Sequence, residues 1–115
     1  MAKAKKRILS LATDSSLLTL RAMILQAAGY EVHSASNLLQ VIEAYKSGDF
    51  DLVLIGHTIS EKEKRRIASK LRELGTNGSV LELCLISPEI PNVDYWMIEA
   101  GPQVLLDKIH EILSR

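Results

Sequence analysis

Polar residues that could do chemistry follow three of the apolar runs in this sequence. Thr13 and Asp14 follow the first run, Gly56-His57-Thr58 follows the third, and Ser87 follows the fourth. If these runs are parallel strands, the polar residues share the sheet edge at which open α/β sheets bind ligands. His57 is the histidine among them. It is either a phosphate-accepting, pH-sensing or ligand-binding group at this edge or an ordinary solvated or packed histidine.

The motifs of common enzyme and cofactor sites are absent from the sequence. It contains no glycine-rich dinucleotide motif, no Walker motif and no Gly-x-Ser-x-Gly turn, and no nucleophile is paired with a base. His33, His57 and His110 have no second histidine or cysteine three or four residues away, as a zinc site would need. We therefore expect no enzyme activity, no catalytic residue, no metal and no cofactor.

The composition is that of one globular domain. The chain has 115 residues, of which 47% are hydrophobic and 24% charged, so we expect a single domain over 1–115 with a basic tail at 1–6. Fourteen cationic and fourteen anionic residues give no net attraction to nucleic acid or to a membrane. The apolar runs are too short for a membrane span or a signal peptide. The single cysteine, Cys84, cannot form an internal disulfide and favours a cytoplasmic location.

Charges are distributed unevenly along the chain. Residues 61–73 carry six cations and three anions, whereas the stretch from Glu82 to Asp107 carries five acids and no base. These stretches are either solvated faces or complementary patches. Complementary patches would bind a protein partner, which could be a second copy of the chain in a homodimer.

Strands and helices are predicted to alternate along the chain. Apolar runs predict strands at 7–12, 30–35, 52–55 and 80–86. Capping residues and glycines then place three helices, from Asp14 or Ser15 to Gly29, from Asn37 to Gly48, and from Ser60 to Gly75. The first helix is expected to face inward with Leu17, Leu20, Ile24 and Ala27. This alternation predicts an α/β fold with a parallel sheet between two layers of helices.

The last 28 residues fit two arrangements. In one, Asp94–Ala100 is a fourth helix. In the other, which we favour, Asp94–Ile98 is the fifth strand and Pro102–Leu113 is the last helix, because its apolar face then docks on the sheet. The connection 87–93 is then too short for a helical crossover, so the usual fourth helix is shortened or missing.

The order and spacing of these segments resemble a response regulator receiver domain of the CheY-like superfamily over nearly the whole chain. The resemblance rests on Arg7–Leu11 as the first strand, Gly29–Val32 leading into the second, Asp51–Ile55 as the third, and Pro102–Leu113 as the last helix. It implies a flavodoxin-like, doubly wound sheet of five parallel strands in the order 2-1-3-4-5. It also implies a role in two-component (phosphorelay) signal transduction.

The resemblance places unusual residues in the phosphorylation pocket. Receivers hold magnesium with two acids after the first strand and accept the phosphoryl group on an aspartate after the third. Here the acid positions fall on Ala12 and Thr13 and the acceptor position falls on Gly56. None of these residues offers a carboxylate to a hard cation. The resemblance thus implies a degenerate pseudo-receiver that contacts a protein partner without being phosphorylated.

Further positions follow from the same resemblance. Ser87 matches the receiver hydroxyl after the fourth strand, and the receiver lysine falls on Ile98, or on Lys108 in the other arrangement of the C-terminus. If Tyr95 and Trp96 lie on an edge strand, one of them points outward and can anchor an interface, with core packing as the alternative. The expected ligand or partner contacts are Asp14, His57, Thr58, Tyr95 and Trp96. A second reading is a flavodoxin-like module that binds a small ligand at the carboxyl strand edge.

Overall fold

Strands and helices alternate through the residues that the structure, a computed structural model, describes, namely 5–91 and 93–114. The elements are β1 Arg7–Leu11, α1 Ser15–Ala27, β2 Glu31–Ala35, α2 Leu38–Tyr45, β3 Leu52–Ile55, α3 Glu61–Leu74, β4 Ser79–Cys84, β5 Tyr95–Ile98 and α4 Pro102–Leu113. All paired strands are parallel, and their order is β2-β1-β3-β4-β5. The predicted sheet and its strand order are confirmed.

The predicted helix starts are confirmed by their capping hydrogen bonds. Asp14 Oδ1 accepts from the backbone N–H of Ser16 at 2.9 Å and so caps α1. Asn37 caps α2 and Ser60 caps α3 in the same way, each accepting from the N–H three residues later. Gly75, with φ of 71°, adopts the left-handed conformation that ends α3.

The centre of the sheet is β3, which is covered on both faces. All four of its residues are fully buried. Val53 and Ile55 pack into the core beneath α2 and α3, whereas Leu52 and Leu54 pack into the core beneath α1 and α4. A continuous apolar run is what a central parallel strand requires, because both faces of the sheet exclude water there.

The inward face of α1 differs from the prediction. Leu20 is 51% exposed and Ala27 is also exposed, whereas Arg21 and Leu25 are buried. The helix is apolar on most of its circumference, so hydrophobic periodicity could not select the side that faces the sheet. The buried residue Arg21 is the one charged residue of α1.

The connection between β4 and β5 carries no helix in its described residues, 85–91 and 93–94. The fifth strand is Tyr95–Ile98, so the arrangement with a helix at Asp94–Ala100 is wrong. β4 ends at Cys84, two residues before the predicted end, because its last paired residue lies opposite Ile98. Within the described part of the chain, no helix is long and apolar enough to cross a bilayer.

Candidate functional site

The carboxyl edge of the sheet brings together the predicted site residues of the first and third strands. Leu11 and Ile55 are register partners, and the N–H of Gly56 donates to the carbonyl of Leu11 at 2.8 Å. Thr13 lies two residues after Leu11, and Thr58 lies three residues after Ile55. These two threonines form hydrogen bonds to each other at this edge. The Thr13 N–H donates to Thr58 Oγ1 at 2.9 Å, and the Thr13 hydroxyl donates to the Thr58 carbonyl at 3.1 Å.

Ser87 lies apart from this pair. It is exposed and follows the end of β4 by three residues. Together with His57, Thr58 and the exposed Ile86 it lines a shallow concavity of about 460 Å³. Ser87 therefore shares the lining of an open concavity with His57 and Thr58.

A buried cation lies against Gly56. Arg21, from α1, is only 3% exposed. A Cβ atom built on Gly56 would stand 2.7 Å from Arg21 Nη1 and 2.5 Å from the carbonyl oxygen of Leu11. Real side chains do not approach neighbours this closely, so glycine is the residue that fits this position. The Leu11 carbonyl sets the tighter limit because it belongs to the backbone, and Arg21 adds to it.

Glu99 provides the carboxylate of this cluster. Its Oε2 lies 3.3 Å from Arg21 Nη2 and 3.9 Å from His57 Nδ1. Burial lowers the pKa of the Arg21 guanidinium, and the attraction of Glu99 opposes that shift. Arg21 Nη1 and His57 Nδ1 are both buried without a hydrogen-bond partner among the described residues.

The sequence pattern did not indicate Arg21 and Glu99 as site residues. The available signal was that Arg21 is the one charge in a helix of otherwise uncharged residues. A lone arginine in such a helix either lies on the solvent side or pairs with an acid inside, because an unpaired buried charge is costly. The tertiary structure shows the second outcome.

The side chains at this edge do not fit a magnesium ion. Ala12 is fully buried, and neither Thr13 nor Gly56 carries a carboxylate. The nearby acids are engaged elsewhere, since Asp14 caps α1 and Glu99 pairs with Arg21. Within the described residues there is no group of three or more histidine, cysteine, aspartate or glutamate side chains placed to hold a metal. A hard dication needs several oxygen ligands, which this edge does not supply.

A second buried charge cluster lies beside α3. Lys64 is fully buried, and its Nζ donates to Glu82 Oε2 at 2.9 Å, to the carbonyl of Leu83 at 3.0 Å and to Glu89 Oε1 at 2.8 Å. Burial lowers the pKa of Lys64, but the hydrogen bonds and attraction of Glu89 and Glu82 outweigh it, so that the pKa is raised. The cluster links α3 to β4 and to the connection after it.

The Lys64 cluster accounts for part of the uneven charge distribution along the sequence. The cationic stretch of α3 and the acidic stretch after Glu82 do meet, but they meet within one chain. Besides the buried Lys64, the exposed Arg65 and Arg66 contact Glu61 and Glu63 of their own helix. Much of the predicted complementarity is therefore already satisfied inside the molecule.

The edge strand β5 divides its side chains between two faces. Tyr95 is half-buried on the α4 side, where Lys108 Nζ lies 5.5 Å from its ring centroid. Trp96 is 51% exposed and Ile98 is 40% exposed, so Trp96 is the member of the aromatic pair that points outward. Because Lys108 lies on α4 beside Tyr95, it does not take a place at the end of β5.

Comparison with known proteins identifies the fold. No family model and no curated protein matches the sequence. Solved structures do match. A two-component response regulator from Clostridium difficile is 20% identical with a TM-score of 0.83, over 96% of this chain and 98% of that one. The fold is that of CheY-like response regulator receivers.

Two other receivers give the same result. A CheY-like receiver domain protein from Methanospirillum hungatei has a TM-score of 0.83 at 24% identity, over 96% of this chain and 95% of that one. The response regulator TrrA from Thermotoga maritima, in complex with Mg²⁺–BeF, has a TM-score of 0.76 at 21% identity, over 93% of this chain and 98% of that one. The backbone is thus shared at low sequence identity.

Proposed function

We propose that this chain is a receiver-like signalling domain of the two-component type that acts by protein contact and is not phosphorylated. The observation that carries the proposal is the crowding around Gly56. A side chain at position 56 would begin 2.5 Å from the backbone carbonyl oxygen of Leu11 and 2.7 Å from the buried Arg21 guanidinium. The place where the resemblance puts a phosphate acceptor is therefore held by glycine and an internal cation.

The chemistry of phosphoryl transfer supports the same proposal. Transfer needs a nucleophile, a metal ion and stabilisation of the developing charge, all in one place. Gly56 has no side-chain oxygen, and the Thr13 hydroxyl already donates to Thr58. Arg21 already pairs with Glu99. This edge of the sheet offers neither the acceptor nor the metal ligands.

Incubation with acetyl phosphate and magnesium tests the proposal. We expect no added phosphoryl mass by intact-protein mass spectrometry, while a receiver that retains its acceptor aspartate gains one in the same mixture. Titration with beryllium fluoride and magnesium should likewise leave the amide NMR shifts of Thr13, Gly56 and Thr58 unchanged. A stable gain of one phosphoryl group would refute the proposal.

The surface proposed for protein contact is the outward side of β5. Trp96 and Ile98 are exposed beside the connection whose described residues form no helix, and an aromatic anchor on an edge strand suits a protein interface. Since Glu89 and Glu99 already pair with buried cations, the contact should be mainly apolar and should respond weakly to salt. Light scattering of wild type and Trp96→Ala tests whether the chain self-associates through this surface. A lower mass for Trp96→Ala would show that it does. Equal masses would mean that the surface binds a different protein.

Binding of a small ligand at the carboxyl edge is the second candidate function. The concavity lined by His57, Thr58 and Ser87 favours it. Titration with inorganic phosphate and, separately, with FMN tests this candidate by NMR. Shift changes confined to these three residues would support it, and unchanged spectra with both compounds would exclude these two ligand classes.

A further inference from the structure

Residues 85–91, here called the strap, are attached to the rest of the molecule by hydrogen bonds at one residue. In the described part of the chain, each hydrogen bond that leaves the strap is made by Glu89. Its carboxylate accepts from Lys64 Nζ at 2.8 Å, and its N–H donates to Glu82 Oε2 at 3.0 Å. Its carbonyl accepts from Arg65 Nη2 at 3.2 Å. The strap therefore has a single polar attachment point.

The strap has one apolar anchor, Ile90. This residue is 5% exposed and belongs to the core cluster that contains Ile67 and Leu71 of α3. The other strap residues are exposed, and Leu85 and Ile86 are 67% and 89% exposed. A surface segment held by two neighbouring residues has the few buried contacts that permit local opening without unfolding of the domain.

Detachment of Glu89 would leave the buried charges beneath it paired. Lys64 Nζ also donates to Glu82 Oε2 at 2.9 Å and to the carbonyl of Leu83 at 3.0 Å, and these contacts do not involve the strap. The open form therefore contains no unpaired buried ammonium, which would be strongly destabilising. The Glu89 side chain is already 42% exposed, so its carboxylate is readily hydrated when it leaves Lys64.

The strap lies beside a sheet face that is partly covered and partly open. Glu82 lies opposite Trp96 in the register of β4 and β5. Cys84 lies opposite Ile98, and opposite residues of paired strands point to the same face of a sheet. The two residues of β4 are buried, whereas the two of β5 are exposed. Because the Glu89 N–H donates to Glu82, the strap lies over the β4 half of this face.

We propose that the strap opens as a local unit and that its opening extends the contact surface on the outward side of β5. Opening uncovers the β4 half of the face and joins it to Trp96 and Ile98, so that a protein partner can reach both strands. This role rests on the protein contact proposed above, whereas the opening itself is measured on the free chain. Failure of the opening and failure of the proposed contact are therefore distinguishable.

Thiol labelling tests the opening. Cys84 directly precedes the strap, is 1% exposed and is the single cysteine of the chain. Iodoacetamide is applied to the free chain at urea concentrations below the unfolding transition, and the added mass is followed by mass spectrometry. Wild type should be labelled with a much weaker urea dependence than that of global unfolding, because local opening exposes little surface. Labelling with the full urea dependence of global unfolding would overturn the proposal.

Two substitutions within the strap provide a matched comparison. Ile90→Ala removes the buried anchor and should accelerate labelling at least about tenfold, because loss of a buried aliphatic side chain is costly. Ile90→Val, with a smaller increase, replaces it if the alanine variant does not fold. Ile86→Ala makes the same change at an 89% exposed residue and should be labelled like wild type. Equal rates for Ile86→Ala and the folded Ile90 variant would also overturn the proposal.

Hydrogen exchange tests the polar attachment without using the thiol. Glu89→Gln should lower the protection of the amide proton at residue 89, while the amide of Leu54 in the central strand keeps its protection. Glu73→Gln, at an exposed position of α3, is the control and should leave both amides unchanged. Unchanged protection at residue 89 in Glu89→Gln would show that this carboxylate does not hold the strap, and the proposal would be rejected.

Discussion

The guanidinium of Arg21 and the backbone of Gly56 are in such close contact that a Cβ atom at residue 56 would stand 2.7 Å from Nη1. The two residues come from α1 and from the residue directly after β3. The absence of a side chain at 56 makes room for the cation, and the cation together with the Leu11 carbonyl oxygen, 2.5 Å from the same Cβ position, makes a side chain there unfavourable. Glu99, at 3.3 Å from Nη2, supplies the opposite charge.

Gly56→Asp should not restore a phosphorylation site. We expect no magnesium binding by isothermal titration calorimetry and a loss of stability on urea unfolding, because the new side chain meets both Arg21 Nη1 and the Leu11 carbonyl. Gly56→Ala isolates the steric part and should cost about 1–3 kcal/mol. In the Arg21→Met background the cost of Gly56→Ala should be smaller. An equal cost in both backgrounds would show that Arg21 does not limit this position.

Removal of the Lys64 charge should be strongly destabilising. Lys64→Met leaves the fully buried Glu82 without its counter-charge, and we expect a loss of about 3–5 kcal/mol in the free energy of unfolding. Lys62→Met, at an exposed position of the same helix, is the control and should change stability little. The double variant Lys64→Met/Glu82→Gln should recover part of the loss. If Lys64→Met unfolds like the Lys62 control, the buried ion pair does not contribute to stability.

Leu54→Ala should cost about 2–5 kcal/mol, because Leu54 is fully buried in the central strand and its removal leaves a cavity. Denaturant unfolding measures the change. Leu39→Ala, at an exposed leucine of α2, provides the matched control and should have a small effect. A loss below about 1 kcal/mol for Leu54→Ala would conflict with a position between two covering helix layers.

The Asp49 carboxylate should make stability depend on pH in the acid range. Partial burial raises its pKa, but hydrogen bonds from the Asn77 N–H, the Thr76 hydroxyl and the Phe50 N–H outweigh this, so the pKa lies below its ordinary value of 3.8. A lowered pKa means that the carboxylate stabilises the fold above about pH 3.8 and that this contribution disappears as the pH falls through the folded-state pKa.

The Asp49→Asn variant tests this dependence. Wild type should be the more stable protein at neutral pH, and the difference in the free energy of unfolding should shrink as the pH falls from about 5 to 2. Glu73→Gln, at an exposed position of α3, should show no such convergence with wild type. A difference for Asp49→Asn that stays constant over this range would contradict the depressed pKa.

Local patterns in the sequence determined the elements of this fold. The continuous apolar run Leu52–Ile55 identified the central strand, and the caps Asp14, Asn37 and Ser60 located the starts of three helices. These signals can be read from the sequence because each concerns only a few neighbouring residues. A strand buried on both faces needs a continuous apolar run, and the first N–H groups of a helix need a nearby side chain to accept their hydrogen bonds. The same locality gave Pro102 as the first residue of the last helix.

Long-range contacts decided the candidate site. The sequence pattern placed Thr13, Gly56 and Thr58 at one edge, yet it did not indicate that Arg21 fills the space at Gly56 or that Glu99 accepts its charge. It also left the α3 cations and the later acids as either solvated faces or surfaces for a partner, although Lys64 turns inward to Glu82 and Glu89. A charged side chain can pair with any opposite charge that the fold brings near, so sequence distance does not identify its partner.

The sequence alone determined the central strand and the absence of carboxylates at Ala12, Thr13 and Gly56, because each depends on residue types within a short segment. The strand order was implied by the resemblance to receiver domains, and the structure confirms it. The tertiary structure alone decided which side of α1 faces the sheet. That helix is apolar on most of its circumference, so its pattern specifies the inward direction only weakly. The inward position of its one charge was fixed by the pairing of Arg21 with Glu99, which stabilises the buried guanidinium and leaves Leu20 and Met23 on the surface.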